Sequence, residues 1–535
     1  MAGRMPVPSV ALLRSLRLST CTKRCSRVST PLAAQGRRTI VQRTPEQEAD
    51  FRKSFRAQIY ESIGERIQRE RDEQERHHAN EDLTRVGWFL TSGVITAGFV
   101  IIAFMTGWSA PFERNPNSTL PLEQVENMDR MITRKEHNYQ GAWVDLVVML
   151  GSENVSEMKD VRRSHSSSDW SSYSTPEDEL PAIVCYPSTT DEVSKILEML
   201  HRRHLPVYGY SGGTSLEGHF AATRRGICID FSRMDKILKL HKEDLDVVVQ
   251  PAVGWEGLNE ELAKDGLFFP PDPGPGAMIG GMVGTGCSGT NAYRYGTMKE
   301  WVVNLTVVLA DGKVIKTRQR PRKSSAGYDL TRLFIGSEGT LGLVTEATLK
   351  VIPKPQSENV AVTSFKTIRQ AAECVFKVVG DGVPIAAVEL LDDKQMQCIN
   401  DAGATSREWK EAPTLFFKFG GTPGAVKEQI DIVKKIARQQ GSQSFDFAKN
   451  KDEAAELWSA RKEALWSVMA KRRDESDHVW TTDVAVPISR LPDIIEETKA
   501  DISHSGLLAT IVGHVGDGNF HGMLNTYESN FATDR

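Results

Sequence analysis

The chain has 535 residues, of which 40% are hydrophobic and 25% charged, and its net charge is -4 at neutral pH. That length leaves room for two or three domains with full cores. The slightly acidic balance argues against a nucleic-acid partner, whose phosphates require a basic surface, and neither composition nor charge points to an activity.

In chain order, the first segment is unlike the rest. Residues 1–45 hold no Asp or Glu, whereas Arg4, Arg14, Arg17, Lys23, Arg24, Arg27, Arg37, Arg38 and Arg43 punctuate a Ser/Thr/Leu-rich stretch. This is the composition of a mitochondrial presequence; the bland alternative is a basic tail. Residues 46–85 are dense in mixed charge, with many i,i+4 pairs between Glu65 and Arg76, and predict an exposed helical spacer. Val86–Trp108 is an uncharged run bounded by Arg85 and Glu113, with Trp88 and Trp108 near its ends. A helix of that length spans a bilayer core, although a buried core helix is the alternative. Arg66, Arg69, Arg71, Arg76 and Arg85 precede the run within twenty residues, and only Arg114 follows it. For a chain imported to the mitochondrial inner membrane, this asymmetry sets the N-terminal side in the matrix and everything after Trp108 in the intermembrane space.

Residues 109–177 read as linker and lead-in, with the globular part opening near 140. Strand and helix patterns then alternate: a strand over 182–186, a helix over 191–204, and strands over 206–210, 227–231, 246–250, 305–310 and 343–352. Asp191 and Glu192 open the helix and Arg202 and Arg203 close it, as the macrodipole favours. Pro353-Lys-Pro355 marks a boundary between a domain over 178–355 and a second over 356–535. In the second, a strand over 414–419 and helices over 424–440 and 451–469 give an α+β pattern. The seven cysteines, Cys21, Cys25, Cys185, Cys228, Cys287, Cys374 and Cys398, form no CxxC or Cys/His metal spacing and read as buried thiols outside the leader.

Three glycine-dense segments carry the chemistry. The first contributes Tyr210, Ser211, Gly212, Gly213, Thr214, Ser215 and Gly218. The second contributes Pro273, Gly274, Gly280, Gly281, Gly284, Thr285, Ser288 and Asn291, followed by Tyr295 and Gly296. The third contributes Glu338, Gly339 and Gly342, with Val344 just beyond. Adjacent glycines let backbone N–H groups converge on an anion with no Cβ in the way, although each segment alone is as readily a set of turns. The first loop departs from G-x-G-x-x-G and lacks the acidic residue that should follow, which argues against a nicotinamide Rossmann site. Near the end, His514-Val-Gly-Asp-Gly-Asn-Phe-His521 sets two histidines across a tight turn. They can chelate one divalent metal, or serve the turn and core.

In this order the segments resemble the FAD-binding domain of the vanillyl-alcohol oxidase family, close to its D-2-hydroxyacid dehydrogenase branch, over roughly residues 140–525. The resemblance implies an α+β architecture: a two-subdomain FAD-binding domain of the PCMH type, followed by an α+β FAD-linked oxidase C-terminal cap. It implies that the pyrophosphate lies at Tyr208–Gly213. FAD is expected to be non-covalent, because Thr214 stands where some relatives tether flavin through a histidine and His219 does not match that position. The implied activity is hydride transfer from C2 of D-lactate to flavin N5, giving pyruvate, with electrons passed to cytochrome c. Glycolate and 2-hydroxyglutarate are alternatives, but Met523 stands where hydroxyglutarate-oxidising relatives carry asparagine and favours a small apolar acid. Arg322 is the implied carboxylate holder, though without the resemblance Arg318–Lys323 reads as a solvated basic loop. His514 and His521 are the implied ligands of a divalent ion, zinc or manganese, and Glu389 and Arg461 also stand in family-like contexts. The family continues with a Gly-Glu-His-Gly element that completes the metal site and supplies the proton acceptor. This sequence stops at Arg535 without it. The expectation is therefore a chain truncated relative to the family, with a catalytically incomplete, membrane-tethered flavin-binding protein as a further reading.

Overall fold

The computed structural model describes residues 139–526, apart from 172, 174, 404 and 474–476. The expected presequence, spacer and membrane span lie outside the described residues. Among those described, no helix is long and apolar enough to cross a membrane.

The fold opens with helix α1 (Tyr139–Leu150), which buries Ala142 and Leu146 one turn apart, and strand β1 (Val155–Ser156). Residues expected to be linker therefore form part of the first sheet. That sheet adds β2 (Ile183–Cys185), then helix α2 (Thr190–Arg203), β3 (Val207–Tyr210) and β4 (Ile227–Asp230), in the order β1-β2-β4-β3. β4 runs parallel to both β2 and β3. Helix α2 begins where the Thr189 hydroxyl accepts the Glu192 amide at 3.2 Å, a cap of about 1 kcal/mol. It buries Val193, Ile196, Leu197 and Leu200, the i, i+3, i+4, i+7 stripe of a helix lying on a sheet. β3 then delivers the chain straight into the first glycine segment.

The second sheet holds β5 (Ile237–His241), β6 (Asp246–Val249), β7 (Val302–Val308), β8 (Val314–Lys316) and β9 (Leu343–Lys350), all antiparallel, in the order β5-β6-β9-β7-β8. Helix α3 (Ile279–Thr285) buries Ile279, Met282 and Val283 in its core, so the glycines between them are left on the other side. β9 starts immediately after the third glycine segment.

After a crossing at residues 351–356 comes an antiparallel sheet whose main path is seven strands. These are β10 (Ser357–Ser364), β11 (Ala387–Leu391), β12 (Thr414–Gly421), β13 (Asp446–Phe447), β14 (His478–Thr481), β15 (Leu508–Gly513) and β16 (Asn519–Thr526), in the order β13-β10-β12-β11-β15-β16-β14. Helices α4 (Ile368–Gly380), α5 (Pro423–Gln439) and α7 (Leu491–Ser505) pack on one face, around Phe417 and Phe419. Helix α6 (Lys451–Lys462) packs on the other, through Leu457 and Trp458 against Phe416. The single helix expected over 451–469 is broken at Glu463 and restarts as Ala464–Met469.

The two halves meet at residues 291–294 of the first, and again where Trp170 stands edge-on to Trp466 and Arg472 donates to Asp169 O. Tyr293 Oη donates to Val383 O at 3.2 Å, Arg294 Nη1 to Gly420 O at 2.6 Å, and Lys418 Nζ to Asn291 Oδ1 at 3.4 Å.

Candidate active site

The three glycine segments, separate in sequence, wall one cleft of about 500 Å³, within the range of cofactor pockets. The backbone holds them together. Gly280 N donates to Pro251 O at 2.7 Å and Ser211 Oγ to the same oxygen at 3.1 Å. Gly336 N reaches Val283 O at 3.0 Å and Glu338 N reaches Gly284 O at 2.9 Å. At Gly212 the first segment presses on the second so closely that a Cβ would lie 2.7 Å from Gly276 O. Gly212→Ala is therefore expected to cost about 1–3 kcal/mol of stability, as overpacking does, and to weaken cofactor uptake in step, measured by thermal melting and by flavin titration.

Among the residues lining the cleft there is no lysine or arginine. An anion held here must be met by backbone N–H groups and by hydroxyls such as those of Thr214 and Ser215. The Cys287 thiol is pushed up to about 12 by burial, with Asp272 adding to it, so it offers no thiolate.

Four residues of the cap sheet and its loops also line the cleft: Thr481, Asp483, His514 and His521. Strand pairing puts the histidines together. His521 on β16 pairs with Val512 on β15, and His514 lies two residues beyond Val512, past the strand end. Gly518 at φ +73 turns the hairpin back, a conformation glycine adopts without a Cβ penalty. The two rings stand edge to face with centroids 5.6 Å apart. Because Leu390 pairs with Gly513, Glu389 falls beside His514. Its Oε1 lies 2.9 Å from His514 Nδ1, and its Oε2 accepts Arg461 Nε at 2.8 Å. Burial alone would raise the Glu389 carboxyl, but the neighbouring His514 and Arg461 outweigh it and hold it below the ordinary carboxylate range. His521 Nδ1 lies 3.2 Å from Thr482 O and 3.4 Å from Asp483 Oδ1. Burial, then His514, pushes the His521 pKa down, so its ring is neutral at pH 7. Both histidines thus face an oxygen through Nδ1, His514 at Glu389 and His521 at Thr482 and Asp483.

Several expected residues lie outside this lining. Asn291 shapes it from behind: its amide donates to Asp272 Oδ1 at 2.8 Å and its side chain to Pro270 O at 2.9 Å, fixing the turn that carries Pro273 and Gly274. Tyr295 packs edge-on to Phe268, Gly296 precedes the capping box at Thr297, and Gly218 turns the chain beside Tyr173. Arg322 is exposed and donates to the main-chain oxygens of Asp244 and Leu245, at 3.2 and 2.6 Å, rather than lining the cleft. Arg461, on α6, is the arginine beside the histidine pair. Its terminal nitrogens make no hydrogen bond among the described residues. Pro251, Phe334, Thr481 and Asp483 line the cleft without any sequence signal, because no motif surrounds them.

Comparison with known proteins agrees with this geometry. Residues 181–318 match the model of the FAD binding domain, and residues 354–533 that of the FAD linked oxidases' C-terminal domain. The mitochondrial D-lactate dehydrogenase [cytochrome] of Kluyveromyces lactis is 47% identical over 445 residues, covering 81% of this chain and 77% of that protein. The chain belongs to the D-lactate dehydrogenase (cytochrome) family of FAD-linked oxidases. Another member, the mitochondrial D-lactate dehydrogenase [cytochrome] 1 of Saccharomyces cerevisiae, is 49% identical over 417 residues, covering 76% of this chain and 71% of its own. The family fold extends to solved structures: alkyldihydroxyacetonephosphate synthase superposes with a TM-score of 0.61 at 18% identity, over 73% of this chain and 81% of that one.

Proposed function

We propose that this chain is an FAD-dependent D-lactate dehydrogenase that forms pyruvate and passes electrons to a cytochrome. One observation carries the reading: a cleft walled by three glycine segments, with no lysine or arginine in its lining, also holds the paired imidazoles of His514 and His521. FAD, when bound, supplies the acceptor for a hydride leaving C2 of the substrate. The glycine segments would hold the cofactor without a covalent tether, and the backbone donors of Tyr208–Gly213 would meet its pyrophosphate. Arg461, gripped from behind by Glu389, is the cation placed to orient the substrate carboxylate through its terminal nitrogens; Arg322 lies too committed to Asp244 and Leu245 for that task.

The histidines fit two positions of a divalent-metal site, each ring oriented through Nδ1 in the manner of ligands with second-sphere acceptors. No group of three His, Cys, Asp or Glu able to hold a metal is found among the described residues. A zinc or manganese ion held by His514 and His521 would acidify the substrate hydroxyl. Without an ion, the neutral His521 can take the hydroxyl proton at Nε2. Glycolate and other 2-hydroxyacids are the second reading, since Arg461 and the histidines recognise groups that all of them share. For location, the relatives' mitochondrial names and the arginine asymmetry around residues 86–108 support an inner-membrane anchor with the cap and cleft in the intermembrane space.

Anaerobic absorbance near 450 nm on the purified protein tests this. D-lactate, and not L-lactate, is expected to bleach the flavin. A chelator is expected to slow the bleaching, and zinc or manganese to restore it. A bound flavin that D-lactate leaves unbleached refutes the dehydrogenase; bleaching indifferent to chelator removes the metal and leaves His521 as the base.

A further inference from the structure

His219 matched no tether position, yet it lines the cleft between two partners. Its Nδ1 contacts the Ser215 hydroxyl, and its Nε2 lies 3.2 Å from Glu338 Oε2. Glu217 stands 4.0 Å from the same nitrogen. Glu338 belongs to the third glycine segment and His219 to the end of the first. No backbone hydrogen bond joins those two segments among the described residues, so this side-chain contact is what links them. The backbone at Glu338 gives an independent sign. Its φ is +51, in the left-handed region, between Gly336 at +82 and Gly339 at +77. Glycine would sit there unstrained; a glutamate that accepts the strain has a side chain put to use.

We infer that His219 and Glu338 form a clasp that ties the first glycine segment to the third and slows release of the dinucleotide held in the cleft. The clasp rests on the FAD reading above. Ser215 contacts the ring at Nδ1 and Glu338 stands against it at Nε2, so the imidazole is held between the first segment and the third.

The test uses the full chain loaded with FAD and follows the rate at which flavin fluorescence appears after dilution, beside the thermal melt of the flavin-free protein. His219→Leu and Glu338→Gly are each expected to release FAD at least ten times faster than wild type. The double variant should release it no faster than the faster single, because either change opens the same contact. Glu338→Gly also relaxes the backbone, so the melting temperature of the flavin-free protein holds or rises while retention falls; a residue serving only the fold would move both down. Glu338→Gln keeps an acceptor for Nε2–H and is expected to release FAD at an intermediate rate. Wild-type release rates in the single variants, or effects that multiply in the double, overturn the clasp and leave the FAD site standing. A wild-type protein that takes up no FAD overturns the FAD reading and the clasp with it.

Discussion

Replacing His514 with alanine is expected to slow bleaching of the flavin by D-lactate roughly 100- to 10,000-fold, the span that proton-transfer groups contribute, while FAD stays bound. Retention is expected because the cofactor's walls are the glycine segments, whose backbone contacts do not pass through the histidine hairpin. The loss has two sources. His514 Nε2 disappears from the cleft, and Glu389 loses the partner at 2.9 Å that holds its carboxylate ionised. Stopped-flow absorbance on the loaded variant separates binding from chemistry; a variant that bleaches at the wild-type rate shows that His514 has no part in the reaction.

Glu389→Leu is expected to be the most destabilising single change in the site, by about 3–5 kcal/mol, because it leaves Arg461 and His514 buried beside an apolar group. Glu389 is 1% exposed and Arg461's side chain 15%. The same carboxylate predicts how stability responds to acid. Its pKa is depressed in the folded protein, so the unfolded chain binds the proton more readily as pH falls. The stabilisation is present in full above the unfolded carboxylate value, about 4.3, and is lost as pH drops below it through the folded value. His521, also depressed, adds a second loss that begins higher, as pH falls through about 6.5. Urea melts from pH 7 to pH 3 should show both slopes in wild type and only the upper one in Glu389→Gln. A Glu389→Gln protein with the wild-type acid slope removes Glu389 as its source.

The parts of this fold that were legible in the sequence are those with a local physical signature. Helix α2 declared itself by its apolar stripe and its charged ends, and β12 by the apolar run Leu415–Phe417. The glycine segments announced a cofactor because only glycine permits such close backbone approach as Gly212 makes to Gly276. Glu389 and Arg461 were visible only through resemblance, since nothing local tells a strand glutamate from a solvated one. It takes the pairing of Leu390 with Gly513 to bring Glu389 to His514. Arg322 shows the converse. Its basic surroundings and its spacing suited a carboxylate, but the main chain at Asp244 and Leu245 takes the guanidinium first. The break at Glu463 was invisible because both flanking pieces are good helix formers.

The cofactor's walls come from the first two sheets, whereas Glu389, His514 and His521 come from the third and Arg461 from a helix packed on it. The enzyme is in that sense assembled from two interchangeable halves, one carrying the oxidant and the other choosing what is oxidised. Tyr293, Arg294 and Lys418, with Trp170 against Trp466, form the seam between them. A cap taken from a relative with another substrate, joined at residues 351–356, would leave the glycine walls as they are and replace only Thr481, Asp483, His514 and His521 of the lining; the new specificity would work only as well as the seam sets the distance across which the hydride must pass.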